Sequence, residues 1–329
     1  MKKTVFTYFI LLLLFVSCAQ SGKEVGNVAV QKVAIDTMNL SNPFLLYDKA
    51  GDLYYMTGDG GAMWRSSDMY LWEGPFEVLQ YNEKSWMGAT PLVTSPEIHS
   101  YKGRYYYMAT FTAPVLCEGG AEETRTSCEM FVSDNIAGPY KHLSQGAPLL
   151  GLDLSATNPT FCKDKLKVGY MVYNGSEGVQ PGNTTVQIIR LGRNFDVQIG
   201  EPYVMFSASQ IPWACDCQGM ATSFLVAPDC FETFTGVLGI LFTSLDGGEK
   251  AIGVAYSETG HLDGPWHVEE RPILSGGVSG AAIFTDYDGK SLMVYQKDTI
   301  INGTQKSLPR IMRVDTQFDK LKLKGHYKF

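Results

Sequence analysis

The sequence predicts an all-β protein folded as one five-bladed β-propeller of four-stranded antiparallel blades, and three observations carry that expectation. The first is a repeat. A proline between Gly or Glu and an aromatic recurs as Gly74-Pro75-Phe76, Gly138-Pro139-Tyr140, Glu201-Pro202-Tyr203 and Gly264-Pro265-Trp266, with the prolines 64, 63 and 63 residues apart. One more such step from Pro265 reaches Phe329, the last residue. A fixed period of this size marks an array of supersecondary units. The second is composition within each period, where short aromatic and β-branched runs are punctuated by Gly, Asp and Pro, the pattern of antiparallel strands. The third is the lack of any long segment with helical periodicity. Five sheet units closed on one another leave only short, protected edges.

The elements follow in the same order in every repeat. An opening segment comes first: Asn42-Pro43-Phe44, Ser95-Pro96-Glu97, Asn158-Pro159-Thr160, Thr222-Ser223-Phe224 and Ala281-Ala282-Ile283. A tight turn such as Ala50-Gly51-Asp52 or Asp288-Gly289 leads into an aromatic strand. Those strands are Leu53 to Met56, Tyr105 to Met108, Tyr170 to Tyr173, Gly239 to Phe242 and Leu292 to Tyr295. A third strand follows at Met63 to Ser66, Met130 to Ser133, Ile188 to Leu191, Val254 to Ser257 and Ile311 to Val314. The proline-aromatic turn closes the unit, with Trp72 and Trp266 as structural residues beside it.

The first residues read as an export segment rather than as part of the fold. Lys2 and Lys3 precede an apolar run from Val5 to Val16, too short to span a bilayer. Ser17-Cys18 then resembles a bacterial lipoprotein processing site. The expected organisation is a signal peptide over 1–17, a lipidated flexible tether over 18–32 and the propeller over 33–329. Acyl chains on Cys18 would hold the protein on the cell envelope by the lipid bilayer. A formal charge of −7, with no basic stripe, argues against a nucleic-acid partner. The Lys320, Lys322 and Lys324 run reads as a solvated last strand.

Six cysteines remain beyond Cys18. Cys117 and Cys128 flank an insertion in the second repeat and form the best disulfide pair; Cys162, Cys215, Cys217 and Cys230 are further loop staples. Cys215-Asp216-Cys217 has no Cys or His partner at zinc-site spacing, so neither a metal nor a cofactor is expected.

Several segments resemble glycoside hydrolase family 43, whose fold is a five-bladed propeller. They are Met38-Asn39-Leu40-Ser41-Asn42-Pro43-Phe44, Ser66-Ser67-Asp68 with Leu71-Trp72-Glu73-Gly74-Pro75-Phe76, and Ser95-Pro96-Glu97-Ile98-His99. Ala208-Ser209 with Pro212-Trp213, and Gly253-Val254-Ala255-Tyr256-Ser257, continue the likeness in order to the C-terminus. The resemblance implies an inverting glycosidase site with a base at the first opening segment, a tuning Asp at the third and an acid Glu at the fourth. Here those positions hold Asn42, Asn158 and Thr222. An amide has no proton affinity near neutral pH, and a threonine hydroxyl is no useful general acid. The fifth repeat carries Gly276-Gly277-Val278-Ser279 where many members have a histidine.

Other carboxylates near the expected mouth are Asp59, Glu97, Asp153, Glu177 and Asp216. Turn capping accounts for Asp59 and Asp153, and backbone binding for Glu97; Asp216, beside Trp213, is the best substitute catalyst. Asn42, Ser95, Asn158, Thr222 and Ser279 are expected to ring the axis and offer hydrogen bonds to an oligosaccharide or polysaccharide. Trp213 is expected to stack on a sugar ring, with Trp86 either stacking or packing. The sequence thus points to an envelope-anchored propeller that binds arabinose- or xylose-containing glycans without hydrolysing them by the family route. An active glycosidase with displaced carboxylates and a protein-binding scaffold are the alternatives.

Overall fold

The computed structural model describes residues 30–116, 120–144, 146–151, 156–175 and 184–329. The export segment, Cys18, most of the tether, Cys117, Asp153 and Glu177 lie outside the described residues. Strand β1 (Gln31–Ala34) already belongs to the fold, two residues ahead of the expected boundary.

Five antiparallel sheets follow in sequence order. Blade 1 is β2 (Phe44–Asp48), β3 (Leu53–Thr57), β4 (Met63–Ser66) and β5 (Leu71–Phe76), with β1 added outside β5. Blade 2 is β7 (Leu92–Tyr101), β8 (Arg104–Leu116), β9 (Glu122–Ser133) and β10 (Tyr140–His142), with the short β6 (Leu79–Gln80) parallel to β10. Blade 3 is β11 (Thr157–Lys163), β12 (Gly169–Gly175), β13 (Thr185–Leu191) and β14 (Gln198–Ser207). Blade 4 is β15 (Val226–Glu232), β16 (Leu238–Asp246), β17 (Glu249–Ser257) and β18 (Trp266–Val268). Blade 5 is β19 (Val278–Thr285), β20 (Ser291–Ile301), β21 (Thr304–Asp315) and β22 (Lys322–His326).

The predicted second and third strands all fall inside the observed ones. Their apolar runs are continuous because both faces of a middle strand are covered by neighbouring blades. Leu238–Asp246 is buried at its first seven positions, whereas most of the outer strand Gln198–Ser207 is exposed. The core is divided among the five seams between blades. Trp72 and Leu45 meet Val294 across the seam of blades 1 and 5, and Tyr55 meets Tyr107 across that of blades 1 and 2. Corresponding clusters fill the other three seams, such as Val172 with Ile240 and Leu241 with Met293. Each large apolar side chain buried there contributes about 1.5–3 kcal/mol.

Two expectations shift. The proline-aromatic motif marks the fourth strand of the blade itself: Pro75 and Pro202 lie within β5 and β14, while Pro139 and Pro265 directly precede β10 and β18. Such positions tolerate a missing backbone N–H. The fourth opening segment is also displaced. Thr222 to Leu225 lie outside any strand, and the inner strand of blade 4 begins at Val226.

Candidate functional site

Each inner strand carries, or in blade 1 is closely preceded by, one residue in the left-handed region near its mouth end: Asn42 (φ 48°), Ser95 (48°), Asn158 (50°), Ala227 (52°) and Gly280 (56°). In blades 2 to 5 it sits at a break in the ladder with the second strand, a β-bulge that bends the chain at the channel mouth. Residues other than Gly and Asn avoid this conformation, so something must hold it. In four blades a side chain from the preceding blade does so. The Asn42 amide donates to Gln296 Oε1 (2.8 Å), that of Ser95 to Asp59 Oδ1 (2.8 Å), that of Asn158 to Thr110 Oγ1 (2.7 Å) and that of Gly280 to Thr243 Oγ1 (3.1 Å).

The ring side chains extend this network. Asn42 Nδ2 donates to both Asp59 oxygens at 3.0 and 3.1 Å, Ser95 Oγ donates to Asn158 Oδ1 at 2.6 Å, and Asn158 Nδ2 donates to Asn174 Oδ1 at 3.1 Å. On the blade 5 side Gln296 Nε2 and Lys250 Nζ both donate to Asp298. Burial works to lift the Asp298 carboxyl, but donors from Gln296, Lys250 and Ser307 outweigh it and hold the group below its ordinary range.

At the ring the channel narrows to a neck of about 30 Å³, lined by the ring residues themselves and with room for one water-sized sphere. Glu97 and Asp229, each two residues past a ring position, line it. Burial raises both carboxyls well above the usual range, and the Glu97 charge raises Asp229 further. Glu97 Oε2 lies 2.7 Å from His99 Nε2. Burial, then the Lys163 charge, drives His99 down to about 3, so this contact is a hydrogen bond to a neutral imidazole rather than an ion pair. Below the neck lies a wider cavity of about 580 Å³ between the far halves of the inner strands.

The structure brings Asn42, Ser95 and Asn158 together as expected from their register. It corrects the other two ring positions. Ala227, before Pro228, takes the place assigned to Thr222, and Gly280 takes that assigned to Ser279. Thr222 sits in the preceding loop, its hydroxyl accepting from the Phe224 amide, and Ser279 is buried in β19 opposite Gln296. The signal for Ala227 was present, since Ala227-Pro228 matches the three X-Pro pairs of the earlier blades.

The remaining candidates divide. Asp216 caps its own turn, accepting from the Gln218 and Met220 amides at 2.8 and 2.9 Å, and does not line the neck. One face of Trp213 is taken by Phe242, stacked at 6.0 Å and 10°, and the indole also covers Gly253, so it packs rather than waits for a sugar. Trp86 is anchored through its N–H to the buried Glu129 at 2.6 Å. The side-chain partner of Glu97 is His99 instead of the backbone amides expected. Asp59, read as a turn cap, stands on the ring; Gly58 permits this because a Cβ there would lie 2.4 Å from Leu40. Cys128 is a free, buried thiol opposite Thr110, and Cys117, its expected partner, lies outside the described residues. Among the described residues no group of three His, Cys, Asp or Glu converges as a metal site.

Ring and neck together can donate and accept hydrogen bonds, and the ring positions Asn42, Asn158 and Ala227 carry no ionisable side chain. Many solved structures share the fold, and three illustrate the likeness. An endo-arabinase from Bacteroides thetaiotaomicron is 23% identical with a TM-score of 0.73, covering 90% of this chain and 99% of its own. An endo-1,4-beta-xylanase from the same organism is 15% identical (TM-score 0.67; 90% and 97% covered). An alpha-L-arabinofuranosidase from Lactobacillus brevis is 16% identical (TM-score 0.61; 88% and 96% covered). No curated protein matches the sequence significantly. The sequence profile of glycosyl hydrolases family 43 matches residues 34–220, more than half of the chain. On that match, and with a five-bladed fold to go with it, the chain belongs to glycosyl hydrolases family 43.

Proposed function

We propose that the channel mouth binds arabinose- or xylose-containing oligosaccharides without hydrolysing them. The observation that supports this reading is the ring itself, whose positions Asn42, Ser95, Asn158, Ala227 and Gly280 carry no carboxyl group of their own. Inversion requires an acid and a base about 6.5–9.5 Å apart, one on each side of the sugar. Glu97 and Asp229 are poorly suited to supply them, because burial holds both carboxyls well above the usual range and Glu97 is engaged by His99 at 2.7 Å. The known arabinan- and xylan-type activities of the structural neighbours indicate the ligand class. Each hydrogen bond to a sugar hydroxyl contributes about 0.5–1.5 kcal/mol net. Affinity is therefore expected in the range of tens of micromolar to millimolar. The test pairs calorimetry on arabino- and xylo-oligosaccharides with turnover assays on aryl arabinofuranosides and xylosides. Binding that Asn158→Ala weakens severalfold, with turnover at the blank rate, is expected; absence of any carbohydrate ligand overturns the reading.

Asp59 favours a second reading, since it is a carboxylate on the ring held by Asn42 and Ser95. In that case the protein hydrolyses with Asp59 as displaced base, and measurable turnover would vanish in Asp59→Asn.

We also propose that Cys18 is lipidated and tethers the propeller to the bacterial envelope, supported by the basic start and short apolar run ahead of it. Wild-type protein should then partition with membranes, and Cys18→Ser should be released or fail to mature. Recovery of soluble wild-type protein lacking Cys18 would rule this out.

A further inference from the structure

Cys162 and Cys230 stand on the inner strands of adjacent blades, β11 and β15, and both line the wide lower cavity. They belong to the same seam, where Cys162 is 7% exposed and Cys230 packs against it half-buried. Both are free thiols, and they share a hydrogen bond. The other described cysteines lack this arrangement. Cys128 is buried in the seam of blades 2 and 3, and Cys215 accepts a hydrogen bond from the Gly247 amide near the exposed Cys217.

We propose that Cys162 and Cys230 form a disulfide, a redox modification site that clasps blade 3 to blade 4 along the channel wall. The cavity gives a small disulfide reagent a way in, because exposed Lys49 and Tyr287 line it as well. The Cys230 thiolate attacks the reagent disulfide, forming a mixed disulfide and releasing one thiol. The Cys162 thiolate then attacks the Cys230 sulfur and releases the second. The protein loses two electrons and two protons, and one reagent disulfide becomes two thiols. The hydrogen bond from Cys162, then burial, holds the Cys230 thiol well above its ordinary range, so the reaction is slow at neutral pH and accelerates as pH rises.

The bond would also be felt at the mouth. Strand β11 carries Asn158 four residues before Cys162, and β15 carries Ala227 three residues before Cys230. Joining the thiols fixes the spacing of two neighbouring ring positions and closes a long loop, which constrains the unfolded chain.

The experiment treats the native full chain with hydroxyethyl disulfide across a pH series, alkylates residual thiols after denaturation, and maps the peptides by mass spectrometry. The expected result is a linked Cys162–Cys230 peptide lighter by two hydrogens, forming faster at higher pH. The melting temperature should rise by roughly 3–8 °C, reversibly with dithiothreitol. Cys230→Ser should show neither change. Recovery of both residues as alkylated thiols, arrest at the mixed disulfide, or linkage only through Cys215 or Cys217 would overturn the proposal. The mapping of wild-type protein decides the matter even if the variant fails to fold.

Discussion

Glu129 has no accessible surface, yet it organises two loops of blade 2 by accepting from the Trp86 indole and the Leu149 amide. Burial pushes its carboxyl up to about 8, with those two donors drawing it back. A raised carboxyl stabilises the fold fully below its unfolded value near 4.5, and the contribution is lost as pH rises through 8. The loss is roughly 5 kcal/mol at most. Glu97 and Asp229 act with the same sign, while His142, 3.5 Å from Glu129 and held down by burial, opposes folding in acid. Denaturant titrations from pH 5 to 9 should therefore show a falling stability whose slope is shallower in Glu129→Gln. At the ring, Gly280→Ala places a Cβ 3.0 Å from Asn42 Oδ1 at a left-handed φ of 56°. It should cost about 1–2 kcal/mol, read from the unfolding midpoint. Asn42, Ser95 and Asn158 were legible because each stands before a proline in the opening segment of its repeat. Ala227 escaped a search for side chains with chemistry, and Asp59 between glycines looks like any turn cap. The buried role of Glu129 depends on Trp86, 43 residues away, a pairing no local pattern reports.

At the level of elements, the centres of the middle strands were readable because they are covered on both faces and demand unbroken apolar runs, although strands such as β8 and β9 extend several residues beyond the runs expected. The inner strands were less so, since their bulges interrupt the pattern at the mouth. The lateral bonds that hold the bulges are outside any sequence rule, yet they are measurable. Gln296 is buried and accepts from the Asn42 amide across the seam of blades 5 and 1. Gln296→Ala leaves that amide without its partner and should destabilise by about 1–3 kcal/mol in chemical denaturation. Trp213 offers a contrasting case. Its stacking on Phe242 makes Trp213→Ala a packing defect, costing about 2–4 kcal/mol. Oligosaccharide affinity should stay within twofold of wild type; a large loss of affinity at unchanged stability would return Trp213 to the ligand.

For the whole molecule, the 63-residue period made the blade count legible, whereas the manner of closure was not written in it. Among the described residues every sheet is built from one contiguous stretch of chain, and blade 5 takes no strand from the segment ahead of blade 1. The seam between blades 5 and 1 is instead closed by packing, by the Leu40 amide on the Ser307 carbonyl at 2.8 Å, and by Gln296 on Asn42. It is thus the same kind of joint as the other four, and the position of the chain ends becomes a matter of gene order rather than of folding. A circular permutant that begins at Gln218, in the exposed loop before blade 4, and joins Phe329 to Val30 through a Gly-Ser linker should fold and unfold cooperatively. One opened inside the long β8–β9 hairpin cuts through a sheet and should not. Calorimetric melting of the two proteins distinguishes a ring of interchangeable joints from one that depends on where its chain starts.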